Sequence, residues 1–353
     1  MKVVKIDEPK VVMSSPDSKH GYFGWPTACR LQNGKIAVVA SGFRLRHVCP
    51  FGKTVISYSE NDGETYTYPA PVIDTPLDDR DGGIVAFGEK NVVVTSFNNT
   101  AEFQRKSTED PYCLSYIDTI TKQDEEKYLG ASYRISEDCG VTFGEIKKVP
   151  VMIPHGPLVM NDGSLLWIGR PYDHRNTKDC IKTYKENAEG EFELIGEIEN
   201  VINDSGEMAV SCEPHSILLK DGSILTHIRV QLAGYFTVFQ SKSTDGGRTW
   251  TKPRQLLDDF GGAPPHLFRH SSGLLMCTYC LREAPFVVKV MFSKDEGETW
   301  DTGHDIYVNG VSADMGYPST VELKDKSLLT VFYATPEKGA KAVIMQQKWR
   351  FEE

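Results

Sequence analysis

One eight-residue pattern occurs four times in this chain. It reads SENDGETY from Ser59 to Tyr66, SEDCGVTF from Ser136 to Phe143, STDGGRTW from Ser243 to Trp250 and SKDEGETW from Ser293 to Trp300. The shared frame is Ser-x-Asp/Asn-x-Gly-x-Thr-aromatic, and each copy follows a short apolar run such as TVISY or VVKVMF. Asp and Asn accept backbone N–H bonds across a tight loop and Gly supplies positive φ, so one such turn is an ordinary hairpin. Four in the same frame are an internal repeat, and a repeat constrains the fold more than any local propensity.

A second repeat lies between the boxes: a Pro, a few apolar residues, a polar turn that usually contains Gly, and a strongly β-like run. It starts at Trp25, Gly156, Glu213, Pro264 and Tyr317, with a weaker copy from Gly82 in which Gly83 replaces the Pro. Each unit reads as two strands, and the box hairpin supplies the third and fourth. Six four-stranded antiparallel sheets predict an all-β, six-bladed β-propeller, in which radial repetition protects the sheet edges. Blades three and six lack the box, although NAEGEFELIG around Gly190 is a degenerate version. The N-terminal VVKIDEPKVVM is expected to add a closing strand to the last blade, and the charged insert near 102–128 to form an exposed loop or short helix. No linker interrupts the pattern, so residues 1–353 read as a single domain.

The recurring box resembles the Asp-box of the sialidase-type β-propellers, where it joins the third and fourth strands of a blade. There it is a structural staple far from the axis and says nothing of chemistry.

Net charge is −10, which disfavours nucleic acid and anionic membrane as partners. The N-terminus has no apolar core of signal-peptide length and no later stretch is long enough to span a bilayer, which predicts a cytoplasmic protein. Eight scattered cysteines read as reduced thiols. Cys277 and Cys280 resemble half a zinc site without a second pair, and His47, His155, His215 and His266 show no metal-ligand spacing. No metal and no cofactor is expected, and the sequence is silent on oligomeric state.

In a propeller the leading ends of the innermost strands line one mouth of the central channel. Residues just before each recurring Pro should therefore share a pocket. That column holds Trp25, Arg80, Asp81, His155, Glu213 and Tyr317, with His215 and His266 just beyond.

Here the likeness to sialidases becomes specific. Glu213 stands sixteen residues before Arg229 in EPHSILLKDGSILTHIR, Arg282 precedes the last box, and Tyr317 opens the final blade. In that family the matching residues are a Glu that activates a nucleophilic Tyr, and arginines that bind the substrate carboxylate. The resemblance thus implies Tyr317 and Glu213 as catalytic residues and Arg229 and Arg282 as substrate ligands. It implies a small acidic or otherwise modified carbohydrate as partner and hydrolysis of its glycosidic bond.

Two family positions are not met. The first carboxylate-binding Arg is replaced by Gly24-Trp25-Pro26, and the acid/base Asp falls on His47. Arg80, Arg44 and Arg46 are candidate replacements for the Arg, and Trp25 is expected to offer a face to a sugar ring. His47 and Asp81 are the candidate acid/base residues, and His155 and His266 further candidate ligands. A uronate lyase on the same scaffold and a non-catalytic glycan- or protein-binding propeller are the alternatives.

Overall fold

The computed structural model describes residues 1–172, 179–203, 205–232, 234–257 and 264–353. Their strands form six antiparallel sheets set around one axis. Blade 1 comprises Tyr22–Arg30, Ile36–Arg44, Lys53–Ser59 and Ala70–Ile73; blade 2 comprises Arg80–Phe87, Asn91–Phe97, Ala131–Ser136 and Lys147–Lys148. In blade 3 the short inner strands Val151–Met152 and Leu158–Val159 both pair with Leu165–Pro171, followed by Ile181–Glu186 and Phe192–Ile198. Blade 4 runs through Val210–Leu218, Ile224–Leu232, Tyr235–Ser243 and Arg254–Gln255, and blade 5 through His266–Arg269, Leu275–Leu281, Val287–Ser293 and Asp301–Tyr307.

Blade 6 joins the two ends of the chain. Gly316–Glu322, Leu328–Ala334 and Val343–Glu352 are followed on the outer side by Lys2–Lys5 and Lys10–Met13, which both pair with Val343–Glu352. The expected closing strand is therefore present as two short ones. Pairing first residues with last turns a string of blades into a ring with no free edge at the join.

Most blade strands are buried on both faces, which explains why their sequences are runs of apolar residues rather than strict alternations. Six apolar clusters fill the six clefts between neighbouring blades. Val39 and Ile56 meet Ile84 and Val94 in one, and Phe23 and Val38 meet Tyr333 and Ile344 in another. Cys277 and Cys280 point into two different clefts as buried apolar groups.

The boxes close the hairpins they were read to close. In the copy from Ser243, the Gly247 amide donates to Ser243 Oγ (2.9 Å), and the Thr249 amide and hydroxyl donate to the Asp245 carboxylate (2.9 and 2.6 Å). The final aromatic reaches the preceding blade: Trp250 Nε1 donates to Thr183 Oγ1 (3.2 Å) and Trp300 Nε1 to Gln240 Oε1 (3.0 Å). The degenerate turn of blade 3 keeps Asn187 as acceptor from the Glu191 amide (2.8 Å).

The charged insert forms three short helices, Ala101–Lys106, Pro111–Ile117 and Lys122–Tyr128, capped by Thr100, Asp110 and Thr121. It connects the second and third strands of blade 2, on the end of the ring where the inner strands begin. Among the described residues no helix is long and apolar enough to cross a membrane.

Candidate active site

The inner strands do not begin as regular ladder. Register breaks lie between Gly24 and Thr27, Arg80 and Gly83, Cys212 and His215, and Gly316 and Ser319. At these bulges Trp25, Asp81, Glu213 and Tyr317 take φ of 55°, 52°, 50° and 51°. Left-handed backbone at a non-Gly residue costs about 1–3 kcal/mol and persists only where the surroundings enforce it. Here it re-aims four side chains, one each from blades 1, 2, 4 and 6, toward the channel mouth.

Two of them are in direct contact. The Tyr317 hydroxyl donates to Glu213 Oε1 at 2.6 Å, and Arg229 NH1 donates to Glu213 Oε2 at 2.5 Å. Burial pushes the Tyr317 phenol well above its usual range, and the nearby Asp81 and Glu213 charges push the same way. Burial alone would also raise the Glu213 carboxyl, but Arg229, the Tyr317 hydroxyl and Arg282 outweigh it and hold Glu213 below the ordinary carboxylate range. The proton therefore rests on Tyr317, and Glu213 is an anion aimed at it.

Arg282 donates through Nε to Met315 O (2.7 Å) and through NH2 to the Tyr333 hydroxyl (3.0 Å), with its guanidinium 5.8 Å from the Tyr317 ring centre. Neither partner is a carboxylate. Asp81 is buried, which raises its carboxyl despite the Arg80 guanidinium 3.5 Å away. A cavity of about 200 Å³ opens here, bounded by Asp81, Phe97, Arg170, Glu213, Arg229 and Gln231 among others.

His47 sits higher, on the loop after the second strand of blade 1, with its side chain 47% exposed. Its Nδ1 is 3.1 Å from Asp314 Oδ1, which also accepts from the Tyr22 hydroxyl at 2.9 Å. Its ring meets Trp25 edge-on at 4.8 Å.

Other expected residues are placed elsewhere. The Trp25 indole is only 2% exposed, packed among Tyr22, Tyr317 and Tyr333, with Arg80 and Arg44 over it at 4.3 and 4.9 Å, so no face is open to a sugar. Arg44 is fully buried in an ion pair with Asp78 (2.5 Å), and Arg46 binds Val48 O and Thr108 at the rim.

His155 and His266 lie beneath Tyr317 in the channel, 1% and 6% exposed, in mutual contact with His215. Burial lowers all three, His215 to about 3, so the trio is neutral. The Leu267 amide donates to His215 Nδ1 (2.8 Å), which leaves the proton on the other nitrogen and removes it as a metal ligand. Among the described residues no group of three or more His, Cys, Asp or Glu side chains is arranged to hold a metal ion.

Sequence reading passed over Arg170, Asp314, Tyr22 and Tyr333. Arg170 had a signal: GPLVMNDGSLLWIGR and EPHSILLKDGSILTHIR are the same repeat unit and both end in Arg, at 170 and 229.

The family model described as a BNR repeat-like domain matches residues 94–331. No curated protein matches the sequence. Among solved structures, a protein of unknown function from Dyadobacter fermentans DSM 18053 superposes with a TM-score of 0.78 over 99% of each chain, at 17% identity. The Ruminococcus gnavus intramolecular trans-sialidase, in complex with oseltamivir carboxylate, gives 0.65 over 97% of each chain at 12% identity. The Trypanosoma rangeli sialidase in complex with the inhibitor DANA gives 0.63 at 14% identity, over 98% of this chain and 57% of that longer one. At these identities the structural likeness speaks for the fold. With a family match across more than half its length and four box repeats on six blades, the chain belongs to the BNR repeat-like domain family and has the six-bladed propeller fold of the sialidases.

Proposed function

We propose that this protein is a sialidase-like exo-glycosidase acting on a small glycoside of an acidic sugar. Tyr317 is the nucleophile, Glu213 its base, and His47 the acid and base toward the leaving group. The observation that supports this most is the 2.6 Å hydrogen bond from Tyr317 to Glu213, made between two residues that both hold left-handed backbone at a bulge. Where a substrate carboxylate adjoins the anomeric carbon, a neutral phenol attacks without the repulsion an anion would meet.

The proton affinities dictate the order of events. The phenol holds its proton far more tightly than Glu213 does, so transfer to Glu213 accompanies formation of the Tyr317 O–C bond rather than preceding it. The glycosidic C–O bond breaks as His47 protonates its oxygen. Water then attacks the same carbon, His47 takes its proton, and the Tyr317 O–C bond breaks as Glu213 returns the first proton to Tyr317. His47 suits the leaving-group side because the aglycone departs to solvent and His47 is at the open rim, with Asp314 holding its ring. Asp81, buried beside the nucleophile, is placed to bind the sugar itself. Arg229 and Arg282 hold the substrate carboxylate by charge-assisted bonds. No disulfide joins any of the eight cysteines, which agrees with a cytoplasmic setting.

The test is hydrolysis of aryl glycosides of sialic acid, its deaminated analogue, uronic acids and neutral deoxy sugars, with wild type and Tyr317→Phe side by side. Release of one acidic sugar by wild type alone is the expected result. Silence across the panel, or undiminished release by the variant, would overturn the reading.

A further inference from the structure

His47 is carried by residues 45–52, a stretch of blade 1 that is neither strand nor helix. No sheet ladder fixes its backbone. The contacts that do fix it come from another blade, through the helical insert of blade 2.

The first of these runs through the interior. Arg44, the last residue of the preceding strand, is fully buried and donates through NH2 to His47 O at 3.0 Å. Its NH1 is ion-paired with Asp78 Oδ1 at 2.5 Å, and Gln104 of the insert donates to Asp78 Oδ2 at 2.7 Å. Asp78 and Gln104 are buried as well. The end of the loop closes tightly on this set, since a Cβ on Gly52 would stand 1.9 Å from Arg44 NH1 and 2.3 Å from Asp78 Oδ1. A buried ion pair adds little net stability, because desolvation offsets its attraction. What Arg44 and Asp78 supply here is a fixed donor for one carbonyl, that of His47.

Two further contacts join the insert to the same loop, one on each side of His47. Arg46 donates to the Thr108 hydroxyl. Phe51 stacks on Tyr112 with ring centres 4.8 Å apart and meets Tyr116 at 4.5 Å. The Tyr116 hydroxyl donates to Pro76 O at 3.0 Å, which ties the segment bearing Asp78 to the insert too. Asp314 holds the His47 ring, and the insert holds the backbone that carries it.

We propose that the helical insert of blade 2 sets the place of the general acid. Gln104, through Asp78 and Arg44, and Thr108, through Arg46, are positioning residues for His47. The proposal rests on the hydrolase reading and on the role given there to His47.

The test compares the methyl and para-nitrophenyl glycosides of the acidic sugar released in the panel above. A misplacement of about 1 Å at a reacting group costs on the order of 10²-fold. Gln104→Ala should therefore lower kcat on the methyl glycoside by about 10- to 100-fold. Its loss on the para-nitrophenyl glycoside should be about tenfold smaller, since that phenolate departs without an acid. In a His47→Ala background Gln104→Ala should cost nothing further on the methyl glycoside, because the group it positions is gone. Should Gln104→Ala fail to fold, Thr108→Val reads the same dependence from the rim, and Thr108→Ser, which keeps the hydroxyl, should restore the rate. Equal losses on the two glycosides, or a loss that persists in full without His47, overturn the positioning and leave the hydrolase reading standing. A wild type that cleaves neither glycoside overturns both.

Discussion

Tyr317 and Glu213 stand 104 residues apart in sequence and 2.6 Å apart across the channel, the hydroxyl of blade 6 donating to the carboxylate of blade 4. Replacing Glu213 by Gln keeps the shape and removes the carboxylate proposed to act as base. We expect kcat to fall by about 10²- to 10⁴-fold, the usual worth of a positioned acid or base. Tyr317→Phe should also abolish any covalent adduct trapped by a fluorinated substrate analogue, read by mass spectrometry of the Tyr317 peptide. An adduct on another residue would reassign the nucleophile.

His47 is assigned to the leaving group, so its loss should depend on which group leaves. His47→Ala should cost about 10²- to 10⁴-fold on a natural-type alkyl glycoside and little on an aryl glycoside whose phenolate departs unaided. Equal losses on both substrates would remove His47 from proton transfer and turn attention to Asp81.

Asp79 gives a stability prediction. Burial raises its carboxyl from 3.8 to about 7, against hydrogen bonds from Thr75 and Asn98. Between those values the unfolded chain has released this proton while the folded one keeps it. Raising the pH through that window therefore favours unfolding, and the effect levels off above it. Melting temperatures of Asp79→Asn and wild type should diverge in the variant's favour from pH 4 to pH 7, then run parallel. A constant difference would mean that Asp79 is ionised in the fold.

The boxes should matter for stability and not for chemistry. Gly247 has φ 89°, and a Cβ there would meet Thr183 Cγ2 at 2.9 Å. Gly247→Ala should cost about 1–3 kcal/mol from backbone strain, read from the denaturant midpoint. Its kcat should be unchanged, since the box lies at the far end of the blade from Tyr317.

The division between sequence and tertiary structure follows from range. The box, the polar turns and the apolar runs act within about ten residues, so hairpins, blade count and the closing N-terminal strands were legible in the chain. Arg170 is legible too, since its repeat unit and that of Arg229 both end in Arg.

What the sequence could not show is which side chains the ring leaves open. Trp25 reads as a sugar platform until two arginines from separate strands cover it. His155 and His266 read as ligands until the axis stacks them with His215 below Tyr317. Asp314 acquires its role only because ring closure brings it to Tyr22, 292 residues away, and to His47. Local turn chemistry determined the blades; burial and charge pairing between blades, which no local pattern encodes, decided the site.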